Sequence, residues 1–371
     1  MDKAGIGQML RRLTQADGPS GTEGRVAALV RELIVGTTDE MRTDALGNLI
    51  AVRRANASPP AGQQTGKIML AAHMDEIGLI VTAVDRGFLH VGRIGGVDAR
   101  SLMGQEITVY PTGPGAEQYP DGLPGYIGAR PPHLVSDAER KQAVQLHDLR
   151  VDLGCESGSV RRPTTADVVR VGDRVAVRGP YTELLGGRVA TKALDNRASV
   201  AAMIAALSYL AAMKHTWDVY AVATVQEEAG IRGAMTSAFG VAPDLAVAID
   251  VTFGEQPGIS GDKTVEMDKG PAIGWGPNLH GGIVKRLRET ADALELPYVT
   301  EPLPGHSGTD AWAIQVVREG IPTGLLSIPI RYMHSAAELV ALADIDRTAR
   351  LLAAFISRLD ATTLAALADD V

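Results

Sequence analysis

The sequence has very little cysteine: Cys155 stands alone in 371 residues, so no intrachain disulfide can form. Structural disulfides are rare in the reducing cytoplasm, and we therefore expect a cytoplasmic protein. No local catalytic motif surrounds Cys155, and a lone small thiol is more often a packing group than a nucleophile. The opening residues, Met1-Asp-Lys-Ala-Gly5, lack the apolar core of a signal peptide, which favours the same compartment.

Basic clusters and long apolar runs are also missing. The net charge is −8, and acidic and basic residues are mixed along the chain, so we expect neither nucleic acid nor a membrane surface as a partner. The longest helical apolar run, 201–213, is too short to span a bilayer. Apolar residues make up 45% of the chain and charged residues 22%, which is typical of globular proteins. The length favours two domains.

Patterns of buried strands and amphipathic helices at both ends of the chain indicate an α/β fold. From about residue 78 to residue 186, short strand-like runs alternate with glycine and proline turns, and helical periodicity is scarce. We therefore predict a catalytic domain built from residues 1–77 and 187–371, with a small β domain, 78–186, inserted into it. The strand-like runs of the insert are 79–84, 88–91, 106–110, 126–128, 150–153 and 174–178.

Two adjacent carboxylates, Glu227 and Glu228, follow the apolar run 219–225 and precede small residues that allow a tight turn into a helix. The carboxyl ends of strands are where α/β folds place their sites. Buried together, two carboxylates repel each other unless a divalent cation lies between them. One glutamate could then bind metal while the other transfers a proton. The alternative is a solvated pair at a helix start, where the helix dipole favours negative charge.

Further histidines and acids follow other predicted strands. His73 and Asp75 lie two residues apart, so a pleated strand would put both on one face, where the carboxylate could orient a metal-binding imidazole. Asp250 and His334 each end a buried run, and Asp195 opens a helix. Each has a plainer alternative as a core histidine, a turn residue or a helix-start carboxylate. Two imidazoles with several carboxylates are the ligands expected for two zinc-like ions, although spacing alone does not bring them together.

Six motifs of the chain, taken in their order along the sequence, resemble those of the tetrahedral aminopeptidases, the family that includes glutamyl aminopeptidase. These dinuclear metallopeptidases include glutamyl, leucyl and lysyl aminopeptidases, and some members carry an endoglucanase label. Each motif is weak alone, but six in this order across nearly the whole chain are specific. The motifs are Ala72-His-Met-Asp-Glu-Ile-Gly78, Ala193-Leu-Asp-Asn-Arg197, Val225-Gln-Glu-Glu-Ala-Gly-Ile-Arg-Gly233, Ile249-Asp-Val-Thr252, Gly308-Thr-Asp-Ala311 and Arg331-Tyr-Met-His-Ser335.

The resemblance implies a three-layer α/β catalytic domain with a central mixed sheet, of the phosphorylase/hydrolase-like kind. It implies that the insert is a small β-barrel-like domain that shapes assembly and the pocket. It also implies two divalent ions per subunit, Zn²⁺ or Co²⁺. Asp195 would bridge the ions, His73 and Asp250 would complete one site, and Glu228 and His334 would complete the other.

The resemblance further implies that Glu227 is the general base and acid, and that Asp75 orients His73. The expected activity is that of a metal-dependent aminopeptidase, a hydrolase that removes the N-terminal residue of peptides through a metal-bridging hydroxide. The expected assembly is a homo-oligomer, a hollow dodecamer built from dimers. The alternatives are a metal-dependent deacylase or a glycosidase on the same scaffold, or a non-catalytic protein stabilised by metal. A glycosidase needs paired carboxylates and no metal, so the two histidines would have no role in its reaction.

Two local patterns lead to further expectations. Ser20 and Glu23 have the spacing of a capping box ahead of a helical run. The loop before the predicted helix at 312–318 is expected to line the pocket for the substrate side chain. Its polar residues are His306, Ser307, Thr309 and Asp310. For Asp310, a role as a helix-start carboxylate is an equal alternative.

Overall fold

A computed structural model describes residues 3–59, 66–113, 115–155, 164–259, 261 and 264–369. In this part of the chain the strands are β1 (Glu40–Thr43), β2 (Leu49–Arg53), β3 (Lys67–His73), β4 (Gly78–Asp85), β5 (Phe88–Ile94), β6 (Glu106–Tyr110), β7 (Leu123–Ala129), β8 (Leu149–Asp152), β9 (Arg174–Val177), β10 (Thr182–Leu184), β11 (Arg188–Thr191), β12 (Asp218–Thr224), β13 (Leu245–Phe253), β14 (Ala272–Trp275), β15 (Val299–Pro302), β16 (Thr323–Arg331) and β17 (Glu338–Ala341).

The helices lie mostly in the two outer segments of the chain. They are α1 (Lys3–Gln15), α2 (Gly24–Ile34), α3 (Gly115–Gln118), α4 (Asp137–Arg140), α5 (Thr165–Val168), α6 (Leu194–Leu210), α7 (Arg232–Val241), α8 (Gly281–Ala293), α9 (Asp310–Ile314), α10 (Leu342–Ser357) and α11 (Thr363–Asp369). Short 3₁₀ turns occupy Ala99–Ser101, Pro132–Leu134 and Leu146–Asp148.

A mixed sheet of 11 described strands forms the centre of the molecule, in the order β1-β2-β12-β3-β13-β16-β17-β11-β10, with β14 paired to β16 and β15 paired to β14. Its central strands β12, β3, β13 and β16 run parallel. They are apolar almost without interruption, because both faces of the sheet are covered. The parallel core places the carboxyl ends of these strands along one edge of the sheet.

Helices cover the two faces of the sheet, and this arrangement gives three layers. Along β3, Ile68 and Leu70 pack in a core with α1, α6 and α10, whereas Met69 and Ala71 pack in a second core with α7 and α9. The alternation follows from the two-residue period of a strand. Helix α6 is buried almost all round, since it lies between the sheet and α10. The predicted fold class, a three-layer α/β domain with a central mixed sheet, is confirmed.

The strand-like runs predicted in the insert form a closed antiparallel barrel in the order β4-β5-β8-β7-β6-β9. Its interior is filled by buried aliphatic side chains such as Leu79, Leu89, Ile107 and Val151. A closed barrel leaves no unpaired strand edge, which suits a small domain that stands beside a larger sheet. Strand β10 lies within the predicted insert but pairs with β11 of the large sheet. The domain limits of 78 and 186 remain a prediction.

The predicted capping box at Ser20 and Glu23 is wrong. Helix α2 begins at Gly24, and no side chain caps it. The hydroxyl of Ser20 donates instead to Asp75 Oδ2 at 2.5 Å, because that buried carboxylate needs hydrogen-bond donors. In the described part of the chain, none of the helices combines the length and apolar character needed to cross a bilayer.

Candidate metal centre

The carboxyl edge of the parallel strands brings the candidate residues together. His73 is the last residue of β3, and Asp250 lies near the end of β13. Glu227 and Glu228 follow β12, and His334 follows β16. Strands β12, β3, β13 and β16 are adjacent in the sheet, so side chains that are far apart in the sequence meet at one edge.

Two adjoining groups of donor atoms share one carboxylate. In the first group, His73 Nε2 lies 3.2 Å from Asp195 Oδ1 and 3.9 Å from Asp250 Oδ1. In the second, His334 Nε2 lies 3.2 Å from Asp195 Oδ2 and 3.3 Å from Glu228 Oε1. Within each group the donor atoms lie within 4.8 Å of one another. Asp195 therefore presents a different oxygen to each group.

The carboxylates of this cluster carry a large electrostatic cost. Burial, reinforced by Asp250 and Asp310, raises the pKa of Glu227 to about 10. Burial also raises the pKa of Asp250 and the pKa of Glu228. The negative charge of Asp195 adds to both increases. Divalent cations would remove this cost, and imidazole with carboxylate is a donor set that zinc-like ions accept. The residues present therefore fit two divalent cations.

The two imidazoles form hydrogen bonds with the carboxylates around them. Hydrogen bonds to Asp195 and Glu228 raise the pKa of His334 to about 11. Burial alone would lower the pKa of His73, but hydrogen bonds to Asp195 and Asp75 outweigh it and raise that pKa well above its usual value. Only a neutral imidazole binds a metal, so cation binding at this site must release protons.

Asp75 contacts His73 and also the turn that carries Glu227 and Glu228. Its Oδ1 lies 3.5 Å from His73 Nδ1, and its two oxygens accept the backbone N–H groups of Glu227 at 3.0 Å and Glu228 at 3.2 Å. The sequence pattern predicts only the contact with His73. Asp75 thus fixes the position of two segments of the site at once.

Asp195 reaches both groups because the amino end of α6 is irregular. Asp195 and Asn196 have non-helical dihedral angles. The Asn196 side chain donates to the carbonyl of Ile249 at 2.9 Å, and Ser199 Oγ donates to that of Asp250 at 2.9 Å. These bonds tie α6 to β13, so Asp195 is held beside Asp250.

Glu338 is a residue of the site that sequence analysis missed. Its Oε2 accepts the backbone N–H of Asp195 at 3.0 Å, and its Oε1 accepts that of His334 at 2.7 Å. Its side chain is buried. Glu338 begins β17, a strand that the sequence pattern did not predict, and a lone acid shortly after a histidine is too common a signal to single out.

The inserted barrel supplies one wall of the site through the segment that follows β5. A Cβ atom on Gly96 would lie 2.4 Å from Nδ1 of His334, and one on Gly95 would lie 2.9 Å from Oε2 of Glu228. Side-chain carbons do not approach other atoms so closely. Glycine at these positions therefore lets the barrel close over the second group of donors.

A cavity of about 1200 Å³ opens from the cluster and is bounded by β13, β15, β16 and the loop before α9. His306, Ser307 and Thr309 line it, in agreement with the prediction for this loop. Asp310 does not line it: Asp310 is the buried first residue of α9 and accepts a hydrogen bond from Thr224 Oγ1 at 2.6 Å. Burial raises the pKa of Asp310 to about 6.

A parallel-cored α/β sheet with two adjoining imidazole–carboxylate groups at one edge is an arrangement suited to metal-dependent hydrolysis. Comparison with known proteins makes the assignment more specific. The sequence pattern of the M42 glutamyl aminopeptidase family matches residues 47–351, and the chain belongs to this family. It is therefore a hydrolase of a metal-dependent aminopeptidase family.

Relatives of known sequence or structure align over nearly the whole chain. The chain is 37% identical to the lysyl aminopeptidase of Pyrococcus furiosus, over 95% of this chain and 97% of that protein. An aminopeptidase of Desulfurococcus kamchatkensis superposes with a TM-score of 0.86 at 35% identity, with 98% of each chain covered. The Pyrococcus horikoshii TET1 peptidase, which can assemble into a tetrahedron or a large octahedral shell, has a TM-score of 0.79 at 30% identity, over 95% of this chain and 100% of that one.

Proposed function

We propose that the chain is a dinuclear aminopeptidase in which Asp195 bridges two divalent ions, Zn²⁺ or Co²⁺. The observation that carries this proposal is the position of Asp195, which gives one oxygen to each of two adjoining donor groups. His73 and Asp250 would complete the first ion's ligands, and Glu228 and His334 would complete the second. When bound, such ions lower the pKa of a bound water and polarise the scissile carbonyl.

Glu227 is proposed as the group that moves the proton. Its Oε2 lies 3.9 Å from His73 Nε2, and its side chain faces the cavity without belonging to either donor group. A carboxylate left free in this position can take a proton from the attacking water and pass it to the leaving amine. Asp75 would keep Glu227 in place through the backbone bond described above, and would keep His73 oriented.

The proposed substrates are peptides with a free amino terminus, and the family match favours this over the deacylase, glycosidase and non-catalytic alternatives. We also propose a homo-oligomer, a dodecamer built from dimers, because the Pyrococcus horikoshii relative assembles into closed shells. Light scattering should then give a mass near twelve times 39.0 kDa. A monomeric mass at physiological salt would contradict the assembly.

The roles of Glu227 and Asp195 are tested by measuring metal content together with hydrolysis of leucine and glutamate anilides. Glu227→Gln should lower kcat by about 10²–10⁴-fold, because the proton acceptor is lost, while both ions stay bound. Asp195→Asn should weaken the binding of both ions. Glu266→Gln, which removes an exposed carboxylate outside the site, is the control and should change neither quantity. Full turnover by the Glu227→Gln variant would reject the assignment of the base.

A further inference from the structure

Ser20 and Glu23 do not cap α2, and both side chains are bonded towards the turn that carries Glu227. Ser20 donates to Asp75, which in turn accepts the backbone N–H of Glu227 at 3.0 Å. Glu23 is buried, and its Oε1 accepts the backbone N–H of Gln226 at 3.2 Å. The loop before α2 is therefore bonded to the residue that directly precedes Glu227.

The glutamate turn, which we define as residues 225–228, has the N–H group of each of its residues bonded to a buried side chain. The acceptors, in the order of the donors, are Asn48 for Val225, Glu23 for Gln226, and Asp75 for both Glu227 and Glu228. They come from three separate segments, the turn before β2, the loop before α2 and the segment after β3. Backbone N–H groups inside a protein need such partners. Side chains from outside the turn thus hold its backbone.

Gln226 has a backbone conformation that needs support from its surroundings. Its φ is +55°, in the left-handed region that residues other than glycine seldom adopt. Such a conformation persists where surrounding contacts enforce it. Glu23 holds the N–H of Gln226, and the N–H of Arg232 donates to its carbonyl at 3.3 Å. Glu23 is itself held by the N–H of Gly21, which donates to the same oxygen at 2.7 Å. Without the Glu23 acceptor, the peptide that leads into Glu227 would be freer to rotate.

We propose that Glu23 is a positioning residue for Glu227: by holding the N–H of Gln226 it fixes the direction in which the Glu227 carboxylate enters the cavity. This inference rests on the proposed function, in which Glu227 moves the proton. Glu23 is outside both donor groups and is not among the described residues that line the cavity. It would therefore act through the turn, without touching an ion or the substrate. A displacement of about 1 Å at a reacting group can cost about 10²-fold in rate.

The test compares Glu23→Met with Glu23→Gln at saturating metal. The two new side chains have similar lengths, but only glutamine keeps an oxygen that can accept the N–H of Gln226. Glu23→Met should lower kcat for leucine anilide by about tenfold or more, because Glu227 loses its alignment, with KM and metal content little changed. Glu23→Gln should keep kcat within about threefold of the unmodified protein, because a neutral oxygen still accepts the bond.

Asp344→Ala is the control for the loss of a buried acceptor. Asp344 accepts the backbone N–H groups of Asp268 and Gly270, away from the glutamate turn. Its loss should lower Tm and leave kcat unchanged.

Coupling to Glu227 separates positioning from a general structural role. The same Glu23→Met substitution is made in the Glu227→Gln background, and the residual turnover is measured at high enzyme concentration. If Glu23 acts through Glu227, it should lower this residual kcat by less than about twofold, because the group that it positions is already lost. A general structural role would lower kcat by the same factor in both backgrounds.

Equal factors in the two backgrounds would overturn the inference, and so would a normal kcat in Glu23→Met or an equal loss in Glu23→Gln. These outcomes leave Glu227 in place as the proposed base. If Glu23→Met does not fold, Glu23→Asp, whose shorter side chain withdraws the acceptor, replaces it in both backgrounds and is held to the same outcomes. Full turnover by Glu227→Gln, or no turnover by the metal-loaded unmodified protein, would instead overturn the proposed function and this inference with it.

Discussion

The two oxygens of Asp195 face different imidazoles, Oδ1 towards His73 and Oδ2 towards His334. Burial by itself would raise the pKa of Asp195, but hydrogen bonds to His334 and His73 outweigh it and lower that pKa. The pKa of Asp195 is thus lowered, whereas burial raises the pKa of its neighbours Asp250 and Glu227. A carboxylate that faces one imidazole with each of its oxygens is suited to a shared position.

At the residue scale, we predict that Glu338 positions the ligands of the second donor group. Glu338→Ala should weaken metal binding by about 10–100-fold, because the backbone of Asp195 and His334 loses its acceptor. The affinity is measured by competition with a chelating dye, and the stability by denaturant unfolding.

Asp344 offers a matched control for the Glu338 variant. It is also buried, and it accepts two backbone N–H groups, those of Asp268 at 2.7 Å and Gly270 at 3.1 Å, but it belongs to neither donor group. Asp344→Ala should lower stability and leave metal affinity unchanged. If both variants weaken metal binding equally, Glu338 has a structural role only.

The sequence identified the residues with strong local signals but not those placed by distant contacts. His73, Asp195 and Glu227 lie in motifs that can be recognised in order along the chain. Glu338 acquires its position only when β17 joins the sheet, so no local pattern distinguishes it from a surface acid. Ser20 shows the same limit, since its spacing predicted a cap and its contact is with Asp75.

At the scale of elements, the turn between β12 and α7 carries both glutamates and is closely packed. The Gly233 N–H donates to the carbonyl of Val225, and Asn48 Oδ1 accepts the N–H of Val225. A Cβ atom on Gly233 would lie 2.3 Å from that carbonyl oxygen and 2.4 Å from Asn48 Oδ1. Glycine is required there, because any side chain would push the turn away from the strand.

We predict that Gly233→Ala lowers both stability and activity, whereas Gly240→Ala in the same helix does not. The first substitution should cost about 1–3 kcal/mol of unfolding free energy through overpacking, and it should lower kcat/KM by displacing Glu227. A Cβ on Gly240 meets no atom within 4 Å, so that variant should gain about 0.5–1 kcal/mol from helix propensity. Urea unfolding and anilide hydrolysis measure the two effects. Normal activity in Gly233→Ala would show that the turn position is not critical.

The elements that could be predicted from sequence are those with a repeated pattern. The barrel strands stand out because alternating apolar residues are bounded by glycine and proline. Helix α9 is shorter than the predicted 312–318, ending at Ile314, since Gln315 and Val317 form turns rather than continuing the helix. Strand β17 is short and follows β16 closely, and pairing with β11 and β16 defines it more than its own sequence does.

At the scale of the whole molecule, the site joins parts of the chain that are otherwise separate. The sheet supplies the donor groups, the barrel closes over the second group through Gly95 and Gly96, and the loop before α9 lines the cavity. Their convergence depends on the strand order β12-β3-β13-β16, which spacing along the chain cannot show. Only the order of motifs, matched to a known family, indicated it in advance.

We predict that bound metal stabilises the whole fold, because ions relieve the repulsion among the buried carboxylates. A ligand present at a thousandfold its dissociation constant contributes about 4 kcal/mol of stability. Treatment with a chelator should therefore lower Tm by several degrees and abolish hydrolysis, and added Zn²⁺ or Co²⁺ should restore both. The Asp195→Asn variant is the control and should respond little. A chelator-insensitive Tm and activity would favour a metal-free mechanism.

Anomalous diffraction from crystals grown with Zn²⁺ or Co²⁺, recorded at the absorption edge of the metal, tests the dinuclear centre most directly. We expect two peaks in each subunit, one among His73, Asp195 and Asp250 and the other among Asp195, Glu228 and His334, with Asp195 contacting both. A single peak, or peaks that do not share Asp195, would contradict it.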